Sequence, residues 1–382
     1  MDVRKVELML NMFYIKDAPH PRNSPYTFEP NGFYKKLKRR IQPIMEEHGT
    51  CPTVAIRVMQ DLMVASAVVV SVLALVYNSY WLILTAGLLL GGSTVGAHNF
   101  IHIRDNWRKY YFDLSLFSHY EWRIGHVFSH HGFPNTAWDA EILWLTPWIE
   151  FLANRKKSWI QRFGSRLYIH FVIAFSSFGS LFLRLISVVT REQNVRPENC
   201  LPFIQLVLFA VSTQYVWTGV LFWILLHISC SYYVAGISLL SPHHHPICFH
   251  DGDEPRATPD YGLCILDATC VKVEDSNYSL FRILTTFGDH NLHHLFPAVC
   301  VSKIGLIKPI VEDTLKEFEE QLICLTQWQI FRGMYDQMAR CEPHSFQYNL
   351  EQREKTQGAK VSTHRLSIIS SEVGVADGLT EV

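Results

Sequence analysis

The sequence predicts an all-α integral membrane protein: two transmembrane helical hairpins, four spans in all, under a cytosolic helical cap that holds a histidine-rich di-metal site. Three observations carry this. Apolar residues reach 48% while charged residues are held to 18%, the balance of a chain that meets lipid. The apolar residues fall in long runs of span-like length. Eight histidines lie in three tight clusters, each just outside an apolar run: His98 and His102; His126, His130 and His131; His290, His293 and His294.

Residues 1–50 read as a cytosolic arm. They are polar, and Lys35, Lys36, Lys38, Arg39 and Arg40 precede the first apolar run, on the side that the positive-inside bias makes cytosolic. The opening MDVRKVELML carries Glu7 in a short apolar run and lacks the pattern of a signal peptide, so membrane entry is expected from internal spans. The first run is Leu62–Tyr77 and the second Tyr80–Ala97, divided by Asn78 and Ser79 and flanked by Tyr77, Tyr80 and Trp81. A hairpin turning at an aromatic interface accounts for both and returns the chain to the cytosol just before His98. Residues 98–165 are polar, aromatic and rich in Arg and Lys, again a cytosolic signature.

Two further apolar blocks, Leu167–Val189 and Leu201–Leu240, are divided by Arg191–Cys200. Bringing all three clusters to one side requires an even number of crossings between residues 131 and 290. Either 167–189 spans and 201–222 returns, or 167–189 lies in the interface and 201–240 folds as a hairpin near Thr213–Gly219. Arg184 inside the first block favours the interfacial arrangement; both give four spans. Residues 302–323 have the spacing of an amphipathic helix, started or kinked near Pro309. Residues 351–382 are polar and lack a periodic apolar face, and the domain proper is bounded at 51–345, with 346–382 as a disordered tail. Net charge is −1, so no nucleic-acid partner is indicated. Nine cysteines without a C-x-x-C pair exclude a zinc ribbon and fit a reducing compartment.

In a helix, residues i, i+3 and i+4 share a face. His98 and His102 are i, i+4; His290, His293 and His294 are i, i+3, i+4. His126 and His130 are i, i+4, with His131 expected to turn towards a second metal. Histidine is the commonest protein metal ligand at neutral pH, and eight can hold two ions. An all-nitrogen set suits iron, zinc or copper and differs from the Glu-x-x-His set of carboxylate bundles. A lone H-x-x-x-H pair is common on ordinary helices; three clusters among 19 histidines make a metal site the better reading. The run SPHHHPICFHDGD adds His243, His244, His245 and His250, one of them a candidate ninth ligand; a polar membrane-exit loop is the alternative. His119, His170 and His227 stand outside any cluster and read as structural. Asn135, Asp289 and Asn291 are candidates to orient the ligands from outside, with helix or turn capping as their ordinary alternative.

The boxes, their order and their placement after hairpins resemble the membrane-bound fatty acid desaturase superfamily. TFGDHNLHHLFP at 286–297 is similar to that family's third box. The likeness is greatest to the cytochrome b5-related, desaturase-like proteins of insects, and runs through KDAPHPRN, NGFYKKLKRR, HHGFPN, HHHPICFHDGD and DYGLCILDAT, roughly residues 12–325. The resemblance implies two non-haem irons on the cytosolic face of the endoplasmic reticulum. It implies dioxygen as co-substrate, an acyl-CoA or acyl-lipid substrate, and electrons from NAD(P)H through a reductase and cytochrome b5. The eight clustered histidines would be iron ligands, and His243 falls at the family's additional ligand upstream of the third box. No H-P-G-G haem motif occurs, so the cytochrome b5 is expected to be a separate protein. Leu240 stands where relatives often carry an Asn, and His290 where front-end desaturases carry Gln. A hydroxylase on the same scaffold and a catalytically silent lipid-binding protein are the alternatives. The final LTEV resembles a PDZ ligand that would pair by strand addition. No KDEL signal is present, so the compartment rests on the resemblance.

Overall fold

The computed structural model describes residues 12, 24–103, 106–239, 242–276 and 279–356. The last four residues, the proposed PDZ ligand, and Leu240 lie outside these. The described residues are mostly helical, as expected; the only paired strands among them are Val271–Lys272 and Cys324–Leu325, two residues each.

Helix α1 (Phe33–His48) precedes the apolar helices α2 (Val54–Tyr77) and α3 (Tyr80–Ile101). The break between α2 and α3 falls at the two residues the sequence singles out. Asn78 closes α2 in the left-handed region at φ 48°, and the Ser79 hydroxyl accepts the Leu82 N–H at the start of α3. Asn tolerates that conformation better than most residues, and Ser is a favoured N-cap. The exposed Tyr77, Tyr80 and Trp81 ring the tip.

Four helices are long and apolar enough to cross a membrane: Val54–Tyr77, Tyr80–Ile101, residues 160–189 and Val216–Ile237. The chain is a multi-pass membrane protein on that ground and on the family given below. Helix α4 (Ser165–Val189) is followed by the short α5 (Leu201–Val211) and by α6 (Val216–Leu239). The chain therefore breaks at residues 212–215, overlapping the start of the Thr213–Gly219 turn of the second arrangement, whereas α4 has the length and composition of a span. The return proposed over 201–222 is not one helix: α5 stops at Val211, and Gly219 lies so close to the Phe209 carbonyl that a Cβ would not fit. Arg184, the charge inside α4, is buried and held by both oxygens of Glu121 at 2.7 and 2.8 Å. An internal partner of this kind is what lets a cation sit in an apolar segment.

Helix α3 is the hub. It packs on α2 and on α6, and it meets α6 through glycines. A Cβ on Gly87 would strike the Leu226 carbonyl, and one on Gly91 the Tyr233 side chain at 2.6 Å. Small residues allow this backbone approach, and Ser229 Oγ donates to the Leu84 carbonyl at 2.8 Å across it.

The cap is built on α1 and α10 (Val301–Glu317). Phe33, Leu37 and Ile41 recur every four residues and bury against Ile304, Ile307, Val311 and Leu315. Pro309 lies inside α10, which starts at Val301 and continues through it. Between them the chain forms α7 (Tyr261–Asp267), α8 (Leu280–Thr286) and α9 (His290–Leu295), and α11 (Gln327–Ala339) follows. The expected tail from residue 346 is corrected at its start: residues 346–356 are helical, and Asn349 and Arg353 are buried. This segment has no apolar stripe to announce it; polar contacts hold it, as described below.

Candidate metal centre

Each histidine cluster sits where a helix ends or winds unusually. His98 lies in the last turn of α3 and His102 caps it. His126 and His130 belong to a π-helical stretch, Arg123–His130, and His131 caps it, its N–H bonding the His126 carbonyl five residues back. Such π turns are rare and concentrate at functional sites. His290, His293 and His294 lie on α9, and His243 stands on a loop.

The side chains assemble into two groups. His98, His102, His126, His131 and His293 offer ring nitrogens all within 4.8 Å of one another, and so do His130, His243, His290 and His294. The nine histidines proposed from sequence are therefore all brought together. One detail is corrected. Of the two all-histidine groups, His126 falls in one with His131 and His130 in the other, because the five-residue hydrogen bond places residue 131 over residue 126; the expected pairing of His126 with His130 recurs in a third candidate group that they form with Glu141.

Within the five-histidine group, His98 Nε2 lies 2.6 Å from His126 Nε2 and 2.8 Å from His102 Nε2, and His131 Nε2 lies 3.1 Å from His126 Nε2. In the other, the Nε2 atoms of His243, His290 and His294 form a triangle of 2.9, 3.0 and 3.2 Å. Three nitrogens facing one point cannot all be satisfied by hydrogen bonds with each other. Two nitrogens at right angles around one metal, each about 2.1 Å from it, are about 3.0 Å apart. The spacing therefore fits a cation at each centre. His293 points the same way: both its ring nitrogens are buried without a hydrogen-bond partner, a costly state unless something accepts them. The groups touch, since the rings of His131 and His294 stack at 4.0 Å.

The electrostatics also suit a metal. Burial first, and the neighbouring rings second, hold His102, His126, His131, His243, His290 and His294 well below the usual histidine range. His293 is pushed down to about 3 by burial and by His130. Neutral rings keep the lone pairs that metals need. His130 is the exception: burial opposes its charge, but Asp139 and Glu141 outweigh that and raise it to about 9. Burial pushes Glu141 up to about 7, against the pull of His130.

Two carboxylates that the sequence reading passed over orient the second cluster. His126 Nδ1 donates to Glu141, and His130 Nδ1 donates to Asp139 at 2.8 Å. Asp139 is itself fixed by the N–H groups of Asn135, Glu141 and Ile142 at 2.8, 2.9 and 3.1 Å. Carboxylate–histidine pairs of this kind set the tautomer and direction of a ligating ring. The signal was present in the sequence: Asp139 and Glu141 are the first acidic residues after the cluster.

Of the three proposed orienting residues, Asn135 reaches furthest. It sits at φ 61°, and its amide donates to the carbonyls of His243, Phe249 and Ala268. Asp289 precedes α9 and lies 3.5 Å from the Lys308 ammonium; its carbonyl accepts the His293 N–H. Asn291 accepts the N–H of its neighbour Leu292. In the loop tract, His243 enters the four-histidine group, whereas His244 stacks on Phe151 at 4.0 Å and His250 donates to the Cys248 carbonyl. His119 pairs with Asp113 at 2.6 Å, His170 bonds Tyr232, and His227 packs against Trp223.

Comparison with known proteins agrees with the geometry. The fatty acid desaturase family model matches residues 73–325. The "Cytochrome b5-related protein" of Drosophila melanogaster is 29% identical over 342 residues, 88% of this chain and 78% of that protein. No solved structure matches. The matched region takes in the end of α2, the apolar helices from α3 to α6 and all nine converging histidines, and the chain belongs to the fatty acid desaturase family.

Proposed function

We propose that this chain is a di-iron, dioxygen-dependent desaturase that introduces a double bond into a lipid acyl chain at the endoplasmic reticulum membrane, with its metal centre and both termini in the cytosol. Family membership makes it a desaturase-type oxidoreductase acting on lipid. The convergence of nine imidazoles in two groups beside apolar helices is the observation that carries the finer reading.

One iron would be held by His98, His102, His126, His131 and His293, the other by His130, His243, His290 and His294. Bound there, the metals would supply activation of dioxygen, so that two hydrogens leave adjacent methylenes and the oxygen ends as water with electrons from the donor. The protein's own part is positioning. Glu141 and Asp139 aim the rings of His126 and His130. Burial of the rings keeps bulk water from the centre. A cavity of about 300 Å³ reaches His126 and Glu141 between walls that include Phe117, Trp122, Trp144 and Leu183. These apolar walls suit an alkyl chain, whose reacting carbon must be held closely for the reaction to be fast. A separate cytochrome b5 with its NAD(P)H reductase supplies the electrons in this reading, and the substrate is an acyl-CoA or an acyl lipid drawn from the bilayer.

The test is expression in yeast with lipid profiling, beside the double variant His293→Ala, His294→Ala. A product lighter than its parent by two hydrogens, absent from the variant, is expected. A product heavier by one oxygen makes the chain a hydroxylase. Identical lipids from both, together with no iron bound after anaerobic reconstitution, leave a lipid-binding protein.

A further inference from the structure

His243 differs from the other eight histidines in standing on a loop, where no helix sets the direction of its ring. Its Nδ1 donates to the Ala268 carbonyl at 2.9 Å, which turns Nε2 towards His290 and His294. Whatever holds the Ala268 carbonyl relative to the loop therefore holds this ligand. Asn135 ties the two from one side, donating to the carbonyls of both His243 and Ala268.

A second tie comes from the far end of the chain. Asp267, next to Ala268, takes the Arg256 guanidinium on both oxygens at 2.7 and 3.0 Å, and Arg353 Nη1 on Oδ1 at 2.7 Å. Arg353 goes further than Arg256. Its Nη2 donates to the Asp267 carbonyl at 3.2 Å, and its Nε and Nη2 donate to the Ile247 carbonyl at 3.2 and 3.1 Å. One planar fork thus joins the loop that carries His243 to the stretch that carries its acceptor. Arg256 instead spends its other arm on Glu320. Arg353 is 7% exposed and lies in the helix at residues 346–356, beyond residue 325 where the family match ends.

We propose that Arg353 is a positioning residue for His243, and that the C-terminal helix thereby completes the four-histidine site. The inference rests on the metal reading above. A guanidinium can bond a carboxylate and a carbonyl in one plane; an ammonium is a point charge without that fork. Arg353→Lys keeps the attraction to Asp267 and gives up the simultaneous hold on Ile247.

The test uses the full-length protein in detergent, stripped of metal and titrated with Co(II), with ligand-field absorption and calorimetry resolving the two sites. Wild type is expected to take two ions. In Arg353→Met, affinity at one site should fall by about 10- to 100-fold, the usual effect of removing an outer partner of a ligand, while the other site is unchanged; Arg353→Lys should fall between. A residue that merely stabilises the cap would weaken both sites together, so equal losses, or none, overturn the proposal. Because Arg353→Met removes a buried ion pair and could fail to fold, Asp267→Asn loosens the same link from its other end and should weaken the same single site. Wild type that binds no Co(II) would instead defeat the metal reading itself, whatever the variants do.

Discussion

The two histidine groups are built differently. Every ring of the five-histidine group stands on or caps a helical segment: α3, the π-helical stretch or α9. The four-histidine group takes His290 and His294 from α9 and His130 from the π-helical stretch, but borrows His243 from a loop. A helix aims its side chains through its own hydrogen bonds. A loop ring must be aimed by bonds from outside, here from Ala268, Asn135 and, through Asp267, Arg353. The first group is therefore nearly a local property of three segments. The second depends on residues spread from 130 to 353.

The strongest way to break this comparison is to remove one ligand from each group. His293→Ala strips the five-histidine group and His294→Ala the four-histidine group. Each is expected to lower product formation by more than about 100-fold, beyond the range for outer partners, and to cost one ion of two by metal analysis. Loss of both ions from either variant would show that the groups do not load separately.

Acid should come next in size. Rings whose folded pKa is depressed, such as His293 at about 3, contribute stability that is present above the unfolded value of about 6.5 and lost as pH falls below it. Each such ring costs up to about 1.4 kcal/mol per pH unit in that window. His130, raised to about 9, has the opposite sign: its contribution is complete below about 6.5 and is lost as pH rises through about 9. The metal-free protein should thus lose thermal stability below about pH 6.5 and, less steeply, near pH 9. Asp139→Asn should reduce the alkaline limb, leaving the part due to Glu141, as melting curves across pH will show.

The outer carboxylates sharpen the comparison with a smaller effect. Glu141→Gln should weaken Co(II) binding at the five-histidine site and Asp139→Asn at the four-histidine site, each by about 10- to 100-fold. Asp139 should be the more severe, since it also gathers three backbone N–H groups.

The same contrast explains what was legible in the sequence. The α2–α3 hairpin could be read because Asn78 and Ser79 interrupt an apolar run, and the rings of α3 and α9 because i, i+3, i+4 spacing has one meaning on a helix. The partition of His126, His130 and His131 was misread because nothing local marks a π turn. His243 stood out from its neighbours in the HHH tract only through family resemblance, since ring direction on a loop is decided by distant carbonyls. Residues 346–356 were read as tail because a helix held by Arg353 and Asp267 needs no apolar stripe. His243 and the C-terminal helix are held by buried polar bonds between remote positions, and the π turn by a backbone bond one residue longer than the α-helical one; periodicity records neither.

A final variant should disturb the fold while leaving both sites alone. Asn78 holds φ 48° and ψ 47° at the hairpin tip, where a β-branched side chain is strained and glycine is not. From Tyr80 to His98 along α3 is about 27 Å at the helical rise, so strain at the tip has no direct path to the ligands. Asn78→Val is expected to cost about 1–3 kcal/mol, seen as a lower melting temperature, and Asn78→Gly much less. Co(II) titration of both should return two sites with wild-type affinities. If Asn78→Val weakens one group and spares the other, α3 transmits tip strain selectively to the metal centre, and the contrast between a local and a distributed site must be redrawn to include the membrane hairpin.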